Sequence, residues 1–279
     1  MSEMEMESIV ENESAEKQND ENVDNNDLAL IKIRADMFRN FISSSISENI
    51  NLYITKEKLS IVNIDESNVL MSVSTLSNKE CQIFKVKENF SVSLSISDLL
   101  KLMPKDKKLK EMVLTLQINK SAFNMNYSFN GMSNNYKVRV SAINDTPLKE
   151  PTLSPLAIIS LEAKFIKDII KRFNNDLLLI NVYADNVVLS SGSFNDEGSL
   201  SIRETYNRTC ESVKKIFLEG KDKQEIRINT QFLKKALNSA SKETIIQFSI
   251  ATREPLKITY LINSQDTLVY WIAPYIDSE

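Results

Sequence analysis

The chain has 279 residues, 42% hydrophobic and 26% charged, with four Gly, two Cys and no His. Without His it lacks the usual general base, the commonest metal ligand and every Ser-His or Cys-His nucleophile pair. The four scattered Gly form no phosphate-cradling motif, and two Cys suffice neither for a disulfide framework nor for a structural zinc site, so a reducing intracellular compartment is expected.

No apolar run reaches the ~18 residues of a membrane span. Net charge is −4, but it is unevenly spread. Residues 1–27 hold seven Glu, three Asp and one Lys, a net of −9, and the remaining chain carries 33 basic against 28 acidic side chains, a net of +5. The acidic leader has no aromatic and is expected to be disordered.

In chain order, 28–33 predicts a strand, and 35–46 a helix with Met37, Phe38, Phe41 and Ile42 at helical spacing. Segments 51–54, 59–64 and 69–76 are rich in β-branched residues, and 90–94 alternates strictly, as strands do. Ser97 is expected to cap a helix over 98–103, stopped by Pro104. Strands follow at 112–118, 122–129 and 136–143. Residues 144–155 contain three of the six Pro and predict an extended linker. The pattern then restarts with strand 156–161, helix 162–173, and strands 177–183, 187–191, 199–204, 213–219 and 225–228. Helix 230–240 and strands 245–250, 256–262 and 267–272 complete the chain.

The two halves align at a slowly drifting offset, as loop insertions in a duplicated unit produce. Few helices among many strands predict an α+β fold, with antiparallel sheets carrying four short helices on one face. The expected organisation is a leader (1–27), a first domain (28–143), a linker (144–155) and a second domain (156–279).

All four helices show basic side chains on their solvent side: Arg39 on the first, Lys101 with Lys105 beyond it on the second, Lys164, Lys167, Lys171 and Arg172 on the third, and Lys234 and Lys235 with nearby Lys242 on the fourth. If the helices share a surface, that surface suits phosphates, and contact would be independent of base sequence, since no base-reading motif is present.

Three blocks carry a resemblance to a known family: 64–69 (Ile-Asp-Glu-Ser-Asn-Val), the Pro-rich linker, and the end from Glu254-Pro255 to Trp271-Ile272-Ala273-Pro274-Tyr275-Ile276. Together they resemble the sliding DNA clamps of the proliferating cell nuclear antigen (PCNA) type, over everything but the leader. The resemblance implies a non-enzymatic processivity factor: a trimeric ring, of this chain alone or with paralogues, around duplex DNA. A clamp loader would place it, and peptides of polymerases, nucleases and ligases would bind it. No cofactor and no metal are implied. The location would be intracellular: a nucleus, an archaeal nucleoid or a viral replication site.

The peptide pocket implied is Ile64, Leu148 or Leu153, Pro255, Trp271, Ala273, Pro274 and Ile276, with Trp271 where the family commonly has Tyr. Tyr136, Val138 and Val140 of one subunit would pair with Val187 and Leu189 of the next. Two other readings are weighed: a checkpoint-type heteromeric clamp subunit loaded at damaged DNA, and a carboxylate-only enzyme with metal on Asp65 and Glu66.

Overall fold

The computed structural model describes residues 26–103, 107–129, 132–143, 147–173, 176–191, 202–220, 222–262 and 266–276. Residues 1–25 of the acidic leader and Lys105 lie outside them.

The first half runs β1 (Ala29–Arg34), α1 (Ala35–Ser43), β2 (Asn49–Ile54), β3 (Lys58–Ile64), β4 (Leu70–Ser77), β5 (Ile83–Val86), β6 (Phe90–Ser95), α2 (Ile96–Leu102), β7 (Val113–Ile118), β8 (Ala122–Phe129), β9 (Met132–Arg139) and β10 (Ser141–Ala142). The second runs β11 (Ala157–Glu162), α3 (Ala163–Arg172), β12 (Leu177–Val182), β13 (Asn186–Ser191), β14 (Ile202–Asn207), β15 (Val213–Leu218), β16 (Gln224–Asn229), α4 (Thr230–Leu237), β17 (Ile245–Ile250), β18 (Leu256–Leu261) and β19 (Thr267–Ile272).

The halves share one wiring. β1 lies between β5 and β7, as β11 lies between β15 and β17. β2 lies between β6 and β3, as β12 lies between β16 and β13. β3 continues to β4 as β13 does to β14, and β7-β8-β9 repeats as β17-β18-β19. Among the described residues, the short β10–β6 pairing is not repeated in the second half, and one longer pairing joins the halves instead of recurring within them. β4 hydrogen-bonds to β19, fusing the halves into a sheet of order β10-β6-β2-β3-β4-β19-β18-β17-β11-β15. Their equivalents, β14 and β9, each end a sheet.

Each half has its own core. On α3, Ala163, Ile166, Ile169 and Ile170 form the buried stripe. At about 1.5–3 kcal/mol for each fully buried Ile, this stripe outweighs the modest helix propensity of β-branched residues. No side chain caps α3; instead the Ala163 and Lys164 amides donate to the carbonyls of Thr244 (2.8 Å) and Lys242 (3.1 Å), in the loop after α4. Asn229 caps α4, accepting from the Gln231 amide at 2.8 Å.

The cap of α2 is Ser95 rather than the expected Ser97, and the helix ends at Leu102 because Met103 precedes Pro104 and is extended (φ −78°, ψ 139°). α1 stops at Ser43; the Ser44 hydroxyl donates back to the Phe41 carbonyl at 2.6 Å, closing the last turn. The strand expected over 136–143 is two: β9 starts earlier, and Val140 interrupts it before β10. β5 was not expected; its short Ile-Phe-Lys-Val run is flanked by charge on both sides and carries little periodicity.

Candidate functional site

Tyr260 and Tyr270 leave the same face of neighbouring strands. The Tyr260 hydroxyl donates to the Ala236 carbonyl in α4 (2.9 Å), and the Tyr270 hydroxyl to the Ser44 carbonyl at the end of α1 (2.9 Å). A helix of each half is therefore pinned beside the β4–β19 junction. α2 packs on α1 and α3 on α4, so all four helices lie along this face.

The helix surface separates the expected basic residues by what they touch. Lys164, Lys171, Lys234, Lys235 and Lys242 are exposed, and Lys101 on α2 likewise. Lys101 and Lys171 make only loose surface pairs, with Asp98 at 3.5 Å and Asp168 at 3.8 Å, worth little in water. Lys235 lies over the Phe232 ring at 5.6 Å. Arg39 is half-buried on α1.

Two residues have other work. Lys167 is half-buried and donates to the Ala240 carbonyl at 2.7 Å, just past the end of α4, where backbone carbonyls favour a cation. Burial, and then the neighbouring Lys171 charge, lower its pKa. Arg172 pairs with Glu204 of β14 at 2.6 Å and donates to the Tyr206 hydroxyl at 3.3 Å. Tyr206 in turn bonds Glu204, and its ring meets Phe165 edge-on at 4.6 Å.

The opposite face of the long sheet carries a second, smaller cluster. Side chains alternate across a strand, so Leu268, Tyr270 and Ile272 enter the core while Val269 and Trp271 point away. There Trp271 joins Tyr53, Val62, Met71 and Val73, with Ile64, Leu153 and Val269 packed around them. Trp271 is only 3% exposed. Its indole N–H donates to the Glu150 carboxylate at 3.2 Å, and Lys257 Nζ stands 4.9 Å over its ring.

Of the expected pocket, Ile64, Leu153 and Trp271 are thus together. Ala273 follows at the junction, its amide donating to the Val69 carbonyl at 2.9 Å, and Pro255 and Pro274 are half-buried. Leu148 and Ile276 stand out into solvent, 51% and 70% exposed, with the tail turned toward β16 by a Tyr275 amide to Arg227 carbonyl bond.

The expected interface strands need correction. β13, with Val187 and Leu189, is hydrogen-bonded to β12 on one side and β14 on the other, and both residues are buried, so it offers no edge. Val138 and Val140 belong to the first core. Tyr136 is half-buried on the edge strand β9, its ring tilted against Tyr127 with centroids 5.9 Å apart, and the Tyr127 hydroxyl reaches the Leu102 carbonyl of α2 at 3.4 Å. That pair repeats Tyr260 and Tyr270, whose rings are 6.2 Å apart.

Asp65 and Glu66 hold no metal-ligand set; among the described residues no group of three or more acidic or Cys side chains converges. The Asp65 carboxylate instead accepts from the amides of Leu70 (2.6 Å), Val69 (2.9 Å) and Ser67 (3.4 Å), and from the Ser67 hydroxyl. Burial works against its charge, but these bonds prevail and hold its pKa below the ordinary value. Asn68 takes the left-handed conformation this turn needs (φ 57°).

The contacts that sequence reasoning missed are Glu150, Lys257 and the four Tyr. Only the tyrosines left a trace, as pairs recurring at equivalent places in the two halves.

No family model matches the chain. A DNA polymerase sliding clamp of Methanococcus vannielii is 24% identical over 190 residues, covering 67% of this chain and 74% of that protein. Among solved structures, PCNA from Thermococcus kodakaraensis superposes with a TM-score of 0.76 at 13% identity, over 88% of this chain and 100% of its own. Proliferating cellular nuclear antigen from Entamoeba histolytica gives 0.75 at 16%, and A. fulgidus PCNA with the C-terminal region of FEN-1 bound gives 0.72 at 15%, each over 90% of this chain and 100% of its own.

The architecture is that of a DNA clamp, two like halves sharing a continuous sheet. It is the fold of the PCNA-type sliding clamps.

Proposed function

We propose that this protein is a sliding clamp: a ring of three copies that encircles duplex DNA and tethers DNA polymerase and other replication and repair enzymes. The observation carrying this reading is the pairing left open. β4 and β19 are joined inside the chain, while their counterparts β14 and β9 are both sheet edges, and a free edge is a template for another strand. Head-to-tail pairing of β9 with β14 of the next copy repeats the internal junction and closes a ring.

The register follows from the internal one. Leu268, Val269 and Tyr270 face Ser74, Val73 and Ser72. Their equivalents set Asn134 opposite Glu204, Asn135 opposite Arg203 and Tyr136 opposite Ile202. Tyr136 then addresses the end of α3 in the neighbour as Tyr270 addresses the end of α1. A cleft of about 620 Å³, lined by Phe165, Arg172, Glu204 and Tyr206, lies there.

In such a ring the helices line the hole. Lys101, Lys164, Lys171, Lys234, Lys235 and Lys242 meet phosphates without reading bases, and topology rather than grip retains the DNA. Partner peptides bind the opposite face around Ile64, Trp271, Ala273 and Pro274. The protein acts as a scaffold, inside the cell where DNA is copied, with a loader to open the ring. The damage-loaded alternative has no observation of its own in its favour.

The test is native mass by sedimentation, followed by retention on DNA. A trimer that stays on closed circular DNA and runs off after linearisation is expected. A monomer at micromolar concentration that no related subunit converts to a ring would overturn the reading.

A further inference from the structure

The linker is laid on the sheet like a strap. Over 151–155 burial alternates: Pro151, Leu153 and Pro155 are half-buried, while Thr152 and Ser154 are exposed. Leu153 packs into the outward-facing cluster and Glu150 accepts the indole N–H, so the largest side chain of the expected peptide pocket is already covered by the protein itself. Lys257 Nζ stands over the ring's face at 4.9 Å. Tyr53, Val62, Met71 and Val73 pack beside the indole, and together with this cover they leave it 3% exposed.

We propose that linker residues 150–153 are a built-in competitor for the partner site: Leu153 occupies the place of an incoming aliphatic or aromatic anchor, and Glu150 latches the indole. This rests on the reading of the Trp271 region as the peptide pocket. The strap has no regular structure; Leu153 and the Glu150 bond to the indole are its contacts with the Trp271 cluster, and Pro151 and Pro155 are only half-buried. A peptide displaces it by supplying the same apolar contact, with its own acceptor for the indole. Partners are thereby ranked: a segment with a large apolar anchor and a nearby carboxylate or amide oxygen prevails, and weaker segments are excluded.

Trp271 is the only Trp in the chain, so its fluorescence reports this site alone. The experiment compares the full-length protein with its Leu153→Ser and Glu150→Ala variants, using acrylamide quenching and titration with a peptide from the C-terminal region of FEN-1. Expected are weak quenching in the parent, a clear rise in both variants, and about tenfold tighter peptide binding once Leu153 no longer has to be displaced. Glu150→Ala alters an exposed side chain, so it gives a readout should Leu153→Ser fold poorly.

Free quenching of the parent overturns the proposal. So does a variant in which Trp271 becomes exposed, and responds to peptide, with unchanged affinity; that result leaves the pocket reading standing. Failure of the peptide to bind, or binding that never perturbs Trp271 in any of the three proteins, overturns the pocket reading and the competitor with it.

Discussion

The Tyr270 hydroxyl and the Ser44 carbonyl, 226 positions apart in sequence, meet at 2.9 Å and tie the last strand of the second half to the first helix of the first. The bond is buried, so the carbonyl at the end of α1 has no water to turn to if the phenol is removed.

Replacing Tyr270 with Phe keeps the ring and removes only the donor. Urea denaturation should show a loss of about 1–2 kcal/mol. Tyr127→Phe should cost less, since its bond to Leu102 is 3.4 Å long and only half-buried.

Tyr136→Ala is expected to convert the ring to single chains while leaving the circular dichroism spectrum unchanged. Tyr136 lies on an edge strand of the isolated chain and is spared the double pairing that fixes β13. Sedimentation velocity reads the outcome, and an intact trimer would remove β9 from the interface.

The exposed lysines and Lys167 should separate cleanly. Changing Lys164, Lys234, Lys235 and Lys242 to Ala should flatten the dependence of DNA binding on salt, by roughly 0.9 in log-log slope for each phosphate no longer neutralised. Lys167→Ala should leave that slope alone and lower unfolding free energy by about 1 kcal/mol, because its ammonium is spent on the Ala240 carbonyl.

Asp65→Asn should cost about 1 kcal/mol at neutral pH through weakened turn bonds. Because the folded pKa lies below the ordinary 3.8, the carboxylate's contribution is complete above that value and fades as pH falls through the lower folded one. The gap between parent and variant, measured by thermal melts from pH 7 down to 2, should therefore close only in strong acid.

Much of this was legible from residue pattern. Apolar and β-branched runs located β8, β17 and β19 to the residue, and the stripe Ala163, Ile166, Ile169, Ile170 set α3 and which of its sides meets water. What periodicity could not reveal was pairing. Val187 and Leu189 have the composition of a strand, but composition does not say whether a strand has one neighbour or two, and that depends on β14 arriving from further along the chain. Lys167 and Lys164 look alike in a helical projection; only the position of the α4 C-terminus makes one a staple and the other a free cation. Trp271 packs with Ile64 and Leu153 of the expected pocket, but its cover comes from Glu150 and Leu153 in a segment with no periodicity to read.

The β4–β19 junction changes what the linker is for. Five backbone positions, from Leu268 to Ile272, are already matched to partners in the other half, and Tyr270 adds its anchor beneath them. Covalent continuity through 147–155 is thus mechanically redundant. A protease that severs this stretch should release neither fragment, and the nicked molecule should migrate as one species until denatured. Outside the 150–153 cover the segment's length and chemistry are then free to change, since the burden of holding the halves together rests on the sheet.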